Sequence, residues 1–383
     1  MKAKILRVTT VPISLKILLK DQLKFINNFY EVVGISSNGQ ELYDVSVSEG
    51  IRVVGLDMSR EISLIKDFQS LVKMVVLIRR ENPDIIHTHT PKAGIVGMLA
   101  GWLCKTPHRL HTVAGLPVEE SVGFKRKVLL FTEWLTCACA TRVYPNSFAL
   151  SHYMVKNIRV SQDKLKVIGF GSSNGVDVNY FNLTTEVKKS ANSLKQIYDL
   201  GGNFIFLYVG RVVRDKGINE LLSSFSRLKL EFSNIRLVIV GNEEPSLNPI
   251  SEESKVIIKN NPSIIMTGFQ DDVRPFYAMS DCLTFPSYRE GFPNVVLQAC
   301  SMGKACIVSD INGCNEIISS RTNGLIIKPK SENDLYNAMK ELILDRRLLA
   351  RLSKSARLSI LKKYCRIDHN TKMLDEYRHI LND

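Results

Sequence analysis

The segment Ser287-Tyr-Arg-Glu290-Gly291-Phe292-Pro293-Asn294-Val295-Val-Leu-Gln298-Ala299 carries the strongest local signal for chemistry. An apolar strand runs into a turn, and a helix is expected to open at Asn294. A helix start offers unpaired N–H groups and the positive end of a dipole. Those suit an anionic or polyhydroxyl ligand. Glu290 stands before the turn, where its carboxylate can accept hydrogen bonds from hydroxyls. Gln298 lies about one turn into the helix and has one acceptor and two donors. A solvated helix cap would leave the same local pattern.

A second cluster is Val209-Gly210-Arg211-Val-Val-Arg-Asp-Lys216-Gly217. A strand again ends in glycine, and basic residues precede a helix. Arginine grips phosphate in a fork and lysine supplies a compact charge. A diphosphate leaving group would need both, with Arg211 and Lys216 converging on one anion. A basic loop in a basic protein is the plainer alternative. A third cluster, Asp84-Ile-Ile-His87-Thr-His89-Thr-Pro-Lys92-Ala-Gly94, sets two histidines on one side of a strand. No third metal ligand accompanies them, which leaves polar side chains lining a cleft. A fourth, Arg109-Leu-His111-Thr112-Val-Ala114-Gly115-Leu-Pro117, brings one more histidine to a strand end. No nucleophile–base pair marks a triad. There is no GxGxxG, no Walker motif and no Asp-x-Asp. Gly169-Phe-Gly171-Ser-Ser-Asn-Gly175 is a near miss to the first.

These clusters sit where short apolar strands meet amphipathic helices. Strands are expected at Ala3–Val8, Glu31–Ser36, Ile51–Leu56, Ile85–Thr88, Arg109–Val113, Arg142–Pro145 and Lys166–Ile168. Helices are expected between them at Leu15–Asn27, Ile62–Glu81, Gly94–Cys104 and Lys125–Ala138. The alternation restarts at the strand Asn203–Val209. It continues through strands Arg236–Val240, Ser263–Thr267, Cys282–Phe285 and Ala305–Ser309, with helices at Asn219–Glu231, Asp272–Met279 and Asn294–Met302. Gly169 to Lys195 reads as the connection, and helices from Glu332 onward close the chain. This is an α/β chain of two doubly wound, Rossmann-like domains. The first is expected over 1–182, joined by the C-terminal helix 365–383, and the second over 183–364. Ligands bind beyond the carboxyl ends of such strands, so two facing sheets would hold substrate in an interdomain cleft.

A chain of 383 residues with 45% hydrophobic and 23% charged residues fits two globular domains and excludes disordered and fibrous classes. Mean hydropathy is −0.01. No run of ~18 apolar residues predicts a spanning helix. No signal-peptide core follows the first lysines, so a cytoplasmic location is expected. The eight cysteines show no metal spacing and read as free, buried thiols. Net charge is +13, divided +8 up to Asn182 and +5 after it, which points to an anionic partner.

Taken together, the clusters resemble the retaining GT-B glycosyltransferases of family four, over nearly the whole chain. The family's paired-Glu signature matches Glu290, with Gln298 in the second position. Its GRxxxxKG element matches Gly210, Arg211, Lys216 and Gly217. Its Asn-Gly-Val-Asp segment is Asn174 to Asp177, and its DxxHxH element runs from Asp84 to His89. The pattern is most similar to bacterial transferases of capsule and O-antigen assembly. The resemblance implies that Arg211 and Lys216 hold the donor diphosphate and that Glu290 contacts the donor sugar. The backbone from Gly291 through Phe292, Pro293 and Asn294 to Val295 would meet sugar and phosphate, through the N–H groups of every residue but the proline. Gln298 would face the ribose, and Gly268 and Phe269 the base. His89, Lys92, His111 and Asn174 are candidates for the acceptor side. The family's glycine-rich loop after the first strand is replaced by Thr9-Thr-Val-Pro-Ile-Ser14, and the place of its histidine is taken by Ala114.

The implied reaction is a transfer of sugar from a nucleotide diphosphate, UDP by expectation, to a polyprenyl-diphosphate-linked saccharide. No metal or other cofactor is expected. The expected partners are donor, acceptor and an anionic membrane surface on the inner face, with no nucleic acid. Basic and apolar residues join at Gly123-Phe124-Lys125-Arg126-Lys127-Val-Leu-Leu-Phe131, and Lys16, Lys20 and Lys24 would share a face of the first helix. Three rivals stand beside this reading: a nucleotide-sugar epimerase, a non-catalytic sugar-nucleotide binder and a nucleic-acid-binding protein. The last lacks aromatics interleaved with its basic residues.

Overall fold

The computed structural model describes residues 2–59, 63–116, 118, 123–244 and 248–382. Ile62 and Pro117, which the sequence motifs include, lie outside these. The chain divides into two compact units, Met1–Asn174 with Arg366–Asp383, and Gly175–Cys365. The division falls at Asn174 and not after Asn182 for a local reason. The Val176 amide donates to the Tyr364 carbonyl at 2.9 Å, and the Phe181 carbonyl accepts from the Ser301 hydroxyl at 2.9 Å. Both tie this short stretch to the second unit.

In the first unit six parallel strands form one sheet. They are β1 (Lys4–Val8), β2 (Glu31–Ser36), β3 (Arg52–Gly55), β4 (Ile85–Thr88), β5 (His108–Val113) and β6 (Arg142–Pro145), in the order β3-β2-β1-β4-β5-β6. The helices are α1 (Pro12–Leu18), α2 (Gln22–Asn27), α3 (Gln40–Glu49), α4 (Leu64–Glu81), α5 (Pro91–Leu103), α6 (Gly123–Cys139) and α7 (Phe148–Tyr153). Side chains alternate across each strand. Leu6, Val8 and Ile86 enter one core with residues of α4, α5 and α6, while Ile5, Ile85 and Leu110 enter another with residues of α1 to α3.

Two sequence expectations fail here. Leu15–Asn27 is not one helix, because Asp21 takes a left-handed φ of 63° and separates α1 from α2. Lys16, Lys20 and Lys24 therefore share no continuous helix face, and Lys16 pairs with Asp44 at 3.0 Å. Lys166–Ile168 forms no strand, since pairing with β6 stops at a single bridge between Val143 and Leu165. The Lys166 ammonium instead pairs with the buried Glu376 carboxylate.

The second unit repeats the topology. It comprises α8 (Thr185–Ile197), β7 (Phe204–Val209), α9 (Ile218–Glu231), β8 (Ile235–Val240), α10 (Glu252–Asn260), β9 (Ile264–Met266), α11 (Arg274–Met279), β10 (Cys282–Phe285), α12 (Asn294–Ser301), β11 (Ala305–Ser309), α13 (Cys314–Ile317), β12 (Gly324–Ile327), α14 (Glu332–Leu344) and α15 (Arg346–Lys363). The sheet is parallel, in the order β12-β11-β10-β7-β8-β9. Helix α8 falls inside the stretch read as a connection. Its polar composition hides it, yet the Thr184 hydroxyl caps it by accepting from the Val187 amide. The last helix, α16 (Arg366–Asn382), returns to the first unit, where Met373, Leu374 and Tyr377 complete the core around Ile5 and Ile85. The cysteines are free, and no described helix is long and apolar enough to cross a membrane. Strand order reverses at β1/β4 in one sheet and at β7/β10 in the other. Those switch points are where open α/β sheets bind ligands.

Candidate active site

The two strongest sequence motifs follow β7 and β10, the neighbours at the second switch point. After β7, Gly210 and Arg211 lead into a single 3₁₀ turn, Arg214–Lys216, which Gly217 ends. After β10, Pro286 to Gly291 lead into α12. The loops are stitched together. The Tyr288 amide donates to the Asp215 carbonyl at 2.9 Å, and the Arg289 guanidinium lies 3.5 Å from the Asp215 carboxylate. Gly217 has φ 73°, and a Cβ there would fall 2.1 Å from the Pro286 carbonyl oxygen. Glycine is what lets the loops approach this closely.

That approach brings Lys216 Nζ to 2.6 Å from Glu290 Oε1, with the two side chains only 14% and 16% exposed. Arg211 turns elsewhere. Its Nη1 donates to Glu244 Oε2 at 2.9 Å. Arg211 and Lys216, the two cations expected to converge on one anion, are here each paired with their own carboxylate, Glu244 and Glu290. Burial works against the Arg211 charge, but the Glu244 hydrogen bond and the fields of Glu244, Asp215 and Glu290 outweigh it and raise its pKa. Tyr208 sits beneath, its hydroxyl donating to the Arg211 carbonyl at 2.9 Å. Burial, then Glu290 and Asp215, push its phenol well up, so it stays protonated. Burial and Glu290 do the same to the Cys314 thiol, which makes it inert.

Helix α12 begins beside Glu290. Pro293 is its N-cap residue and supplies no side-chain cap. The Val296 and Leu297 amides turn back to the Pro293 carbonyl at 3.2 and 3.3 Å. The amides of Asn294 and Val295 are the helix's first and have no intrahelical acceptor. Gly291 and Phe292 add backbone N–H groups, whereas Pro293 has none. The Phe292 ring is buried against Tyr364, with centroids 5.6 Å apart, so only its backbone can serve a ligand. A Cβ on Gly313 would reach 2.5 Å from the Gly291 carbonyl oxygen, so the loop after β11 also supports this turn.

Further along α12, Gln298 Oε1 lies 3.1 Å from the Tyr277 hydroxyl, which is also 3.2 Å from the Val295 carbonyl. One hydroxyl proton serves one of these acceptors at a time. Beyond β9, the Gly268 carbonyl accepts from the Gly241 amide at 2.9 Å, and the Phe269 amide donates to Asn242 Oδ1 at 2.8 Å. The Phe269 ring is exposed.

The four acceptor-side candidates in the first unit are not gathered at an open surface. His89 is buried, and its Nε2 accepts from Arg7 Nε at 3.0 Å. Arg7 Nη1 donates to the Tyr377 hydroxyl at 2.9 Å, and its Nη2 donates to Gln22 Oε1. Gln22 Nε2 in turn reaches Asn174 Oδ1 at 3.2 Å and Asn370 Oδ1 at 3.1 Å. Asn174 is therefore part of a buried network under α16. His111 lies on the opposite face of the sheet. Its Nδ1 is 2.7 Å from Thr88 Oγ1, and its ring packs against Gly94. Lys92 pairs with Asp67 at 2.6 Å. Burial, then the charge of Arg7, hold the His87 imidazole well below its usual pKa. For His89 the causes are burial, His87 and then Arg7. Both rings are neutral. The groups at the first switch point are instead Thr10 and Thr90, whose hydroxyl oxygens lie 2.7 Å apart.

Sequence reading missed Asp215, Glu244, Tyr277, Thr10 and Thr90. Asp215 stands between Arg211 and Lys216 in their own loop and could have been weighed as a clasp. The others carry no local signal, because their partners lie on other strands. Among the described residues, no group of three or more His, Cys, Asp or Glu side chains is placed to hold a metal ion.

Known proteins match this arrangement. Residues 191–359 match the model for "Glycosyl transferases group 1", and residues 27–171 the model for "Glycosyl transferase 4-like domain". The capsular polysaccharide biosynthesis glycosyltransferase CapM of Staphylococcus aureus is 32% identical over 366 residues, 94% of this chain and 93% of CapM. The UDP-Gal:alpha-D-GlcNAc-diphosphoundecaprenol alpha-1,3-galactosyltransferase of Escherichia coli is 30% identical over 331 residues, 84% of this chain and 81% of that enzyme. The crystal structure of Anabaena HepE in complex with UDP shares the fold, with a TM-score of 0.83 at 18% identity over 99% of this chain and 100% of HepE. Both units fall within glycosyltransferase domains and the likeness to CapM runs nearly end to end, so this chain belongs to the group 1 glycosyltransferases and is an enzyme of the GT-B fold.

Proposed function

We propose that the enzyme moves a sugar, with retention at the anomeric carbon, from a UDP-sugar to a polyprenyl-diphosphate-linked saccharide in capsule or O-antigen synthesis. The observation that carries this reading is the Lys216–Glu290 pair at the β7/β10 switch point, beside the open end of α12. Names of relatives support the partners. One is a UDP-galactose enzyme acting on a diphosphoundecaprenol-linked sugar, and another is a diphospho-undecaprenol N-acetylgalactosaminyltransferase.

As the anomeric bond breaks, negative charge grows on the leaving diphosphate. Lys216, Arg211 released from Glu244, and the first amides of α12 would stabilise it. Glu290 would accept hydrogen bonds from donor-sugar hydroxyls, held in place by Lys216. A leaving-group oxygen would take the acceptor's proton, so no protein base is required. Gln298, held by Tyr277, would meet the ribose, and the exposed Phe269 ring would lie against the base. Lys216 and Arg211 would do the work a divalent cation does elsewhere, so activity should survive excess chelator. The first unit would hold the acceptor near Thr10 and Thr90. The enzyme would work as a cytoplasmic protein on the inner membrane face.

The test is a panel of UDP- and GDP-sugars with lipid-linked acceptors. Mass spectrometry reads transfer, and NMR reads the new anomeric configuration. An inverted product would overturn the mechanism. Conversion of the donor alone would favour an epimerase.

A further inference from the structure

The loops after β8 and β9 are joined by one side chain, Asn242. It follows β8 just past Gly241, and its Oδ1 accepts from the Phe269 amide at 2.8 Å. Its own carbonyl accepts from the Val212 amide at 2.9 Å, one residue beyond Arg211. Asn242 therefore stands between the Arg211 loop and the Phe269 ring, which is 68% exposed. Adjacent strands lie ~4.8 Å apart, so β7 to β9 spans ~10 Å. A nucleoside diphosphate with its phosphates at the end of β7 would bring the far edge of its base to this corner.

Hydrogen bonds already formed decide what the corner can offer. The Gly268 carbonyl accepts from the Gly241 amide at 2.9 Å and from the Thr267 hydroxyl at 3.2 Å. The Phe269 amide is committed to Asn242, and the Gln270 side-chain amide donates to the Thr267 carbonyl at 2.9 Å. Asn242 keeps one unused end. A backbone N–H can only donate, so the atom facing Phe269 is Oδ1, and Nδ2 faces away with two protons. Among the described residues no group accepts from Nδ2.

An amide donor beside an exposed aromatic ring suits a flat ligand with an acceptor on its edge. The ring supplies a stacking face, and Nδ2 supplies the edge contact. Uracil carries an oxo group at C4, which accepts from Nδ2. Cytosine carries an amino group there, which sets donor against donor and leaves Nδ2 unpaired. The C2 oxo group is common to both bases and lies beside the ribose. The far edge is therefore the edge that can be told apart.

We infer that Asn242 is a specificity-determining residue of the donor site, which selects a base bearing an oxo group over one bearing an amino group at its far edge. This rests on the UDP-sugar reading of the proposed function and adds the residue that sets UDP apart from CDP. The test is titration calorimetry of the full chain with UDP and with CDP. Wild type should bind UDP ~10-fold or more tightly than CDP. Asn242→Asp keeps an acceptor for the Phe269 amide and turns the outward donor into an acceptor. Its added charge opposes both diphosphates alike, so the ratio of the two affinities is the readout. That ratio should fall to one or below. Asn242→Ala should bring it close to one by weakening UDP alone. With wild type, 4-thio-UDP, whose sulfur is a poor acceptor, should bind less tightly than 2-thio-UDP, and Asn242→Ala should abolish that difference. A melting curve on each variant verifies folding. If UDP binds tightly and Asn242→Asp keeps the wild-type ratio, Asn242 only clasps the loop, and the inference is overturned while the donor reading stands. CDP binding wild type as tightly as UDP overturns it as well. If wild type binds neither nucleotide, the UDP reading fails and the inference falls with it.

Discussion

The two switch points share one topology and differ in chemistry. At β7/β10 the loops deliver charged groups, Lys216, Glu290 and Arg211, partly open to solvent and paired across loops. At β1/β4 the loops deliver two threonine hydroxyls, and the nearby cation, Arg7, is fully buried with no carboxylate in its hydrogen bonds. The same strand order thus presents charged groups beyond the strand ends in one unit and a structural polar core in the other. What separates them is whether the charged groups lie beyond the strand ends or within the strand itself. Arg7 is inside β1, while Lys216 and Glu290 lie past the ends of β7 and β10.

The contrast breaks most sharply under substitution. Lys216→Ala should lower kcat by ~10²–10³ with an unaltered melting curve, because a preorganised charge at the leaving group is lost. Arg214→Ala, an exposed neighbour in the same turn, should be mild. Near-normal turnover in Lys216→Ala would show that the second crevice is no more chemical than the first. Arg7→Met should do the reverse. It strands Gln22, Tyr377 and His89 without their buried donor, at a cost of about 2–4 kcal/mol of stability. Calorimetry should show the first unit melting earlier, and UDP binding should persist.

Acid should separate the units more gently. Burial holds His87 and His89 well below their usual pKa and brings His369 down to about 4. Above pH 6.5 these rings are neutral whether folded or unfolded, and stability is full. Below 6.5 the unfolded chain binds protons that the folded chain refuses, so the first unit loses stability as pH falls toward 4. A melting series across that range should show its transition falling faster than that of the second unit. Equal slopes would mean that the buried histidines do not set the difference. The smallest effect is expected at Glu244, which on the proposed function would compete with the donor diphosphate for Arg211. Because the pair is partly exposed, Glu244→Gln should tighten UDP binding only ~2–5-fold, readable by titration calorimetry. Weaker binding would make Glu244 part of the site and not its competitor.

Much of the second crevice was legible because its residues are local. Glu290 and α12 occupy one continuous segment, as do Arg211 and Lys216, and glycines mark the turns that present them. What was not legible depends on residues far apart in sequence. Glu244 meets Arg211 from the loop after β8, and Tyr277 meets Gln298 from α11. The histidines misled for a related reason. His87 and His89 do point the same way on their strand, but that way is inward, under a helix nearly three hundred residues later, and His87 Nδ1 lies 2.6 Å from the Tyr377 hydroxyl. Strand periodicity gives a shared side without saying what covers it. Asp21 split the first helix for a backbone reason that no apolar periodicity reveals.

The return of α16 to the first unit sets a timetable for biosynthesis. The second unit is one uninterrupted stretch, Gly175–Cys365, and can fold as soon as it leaves the ribosome. The first cannot. Tyr377, which closes its core and binds both Arg7 and His87, is made only after the whole second unit. At ~5–20 residues per second, roughly 190 intervening residues take ~10–40 s to synthesise. During that interval the groove awaiting Met373, Leu374 and Tyr377 stands open, with Ile5 and Ile85 uncovered. The half of the protein made first is therefore the half finished last. A nascent chain stalled before α16 would carry a completed second unit beside a first unit that chaperones still recognise.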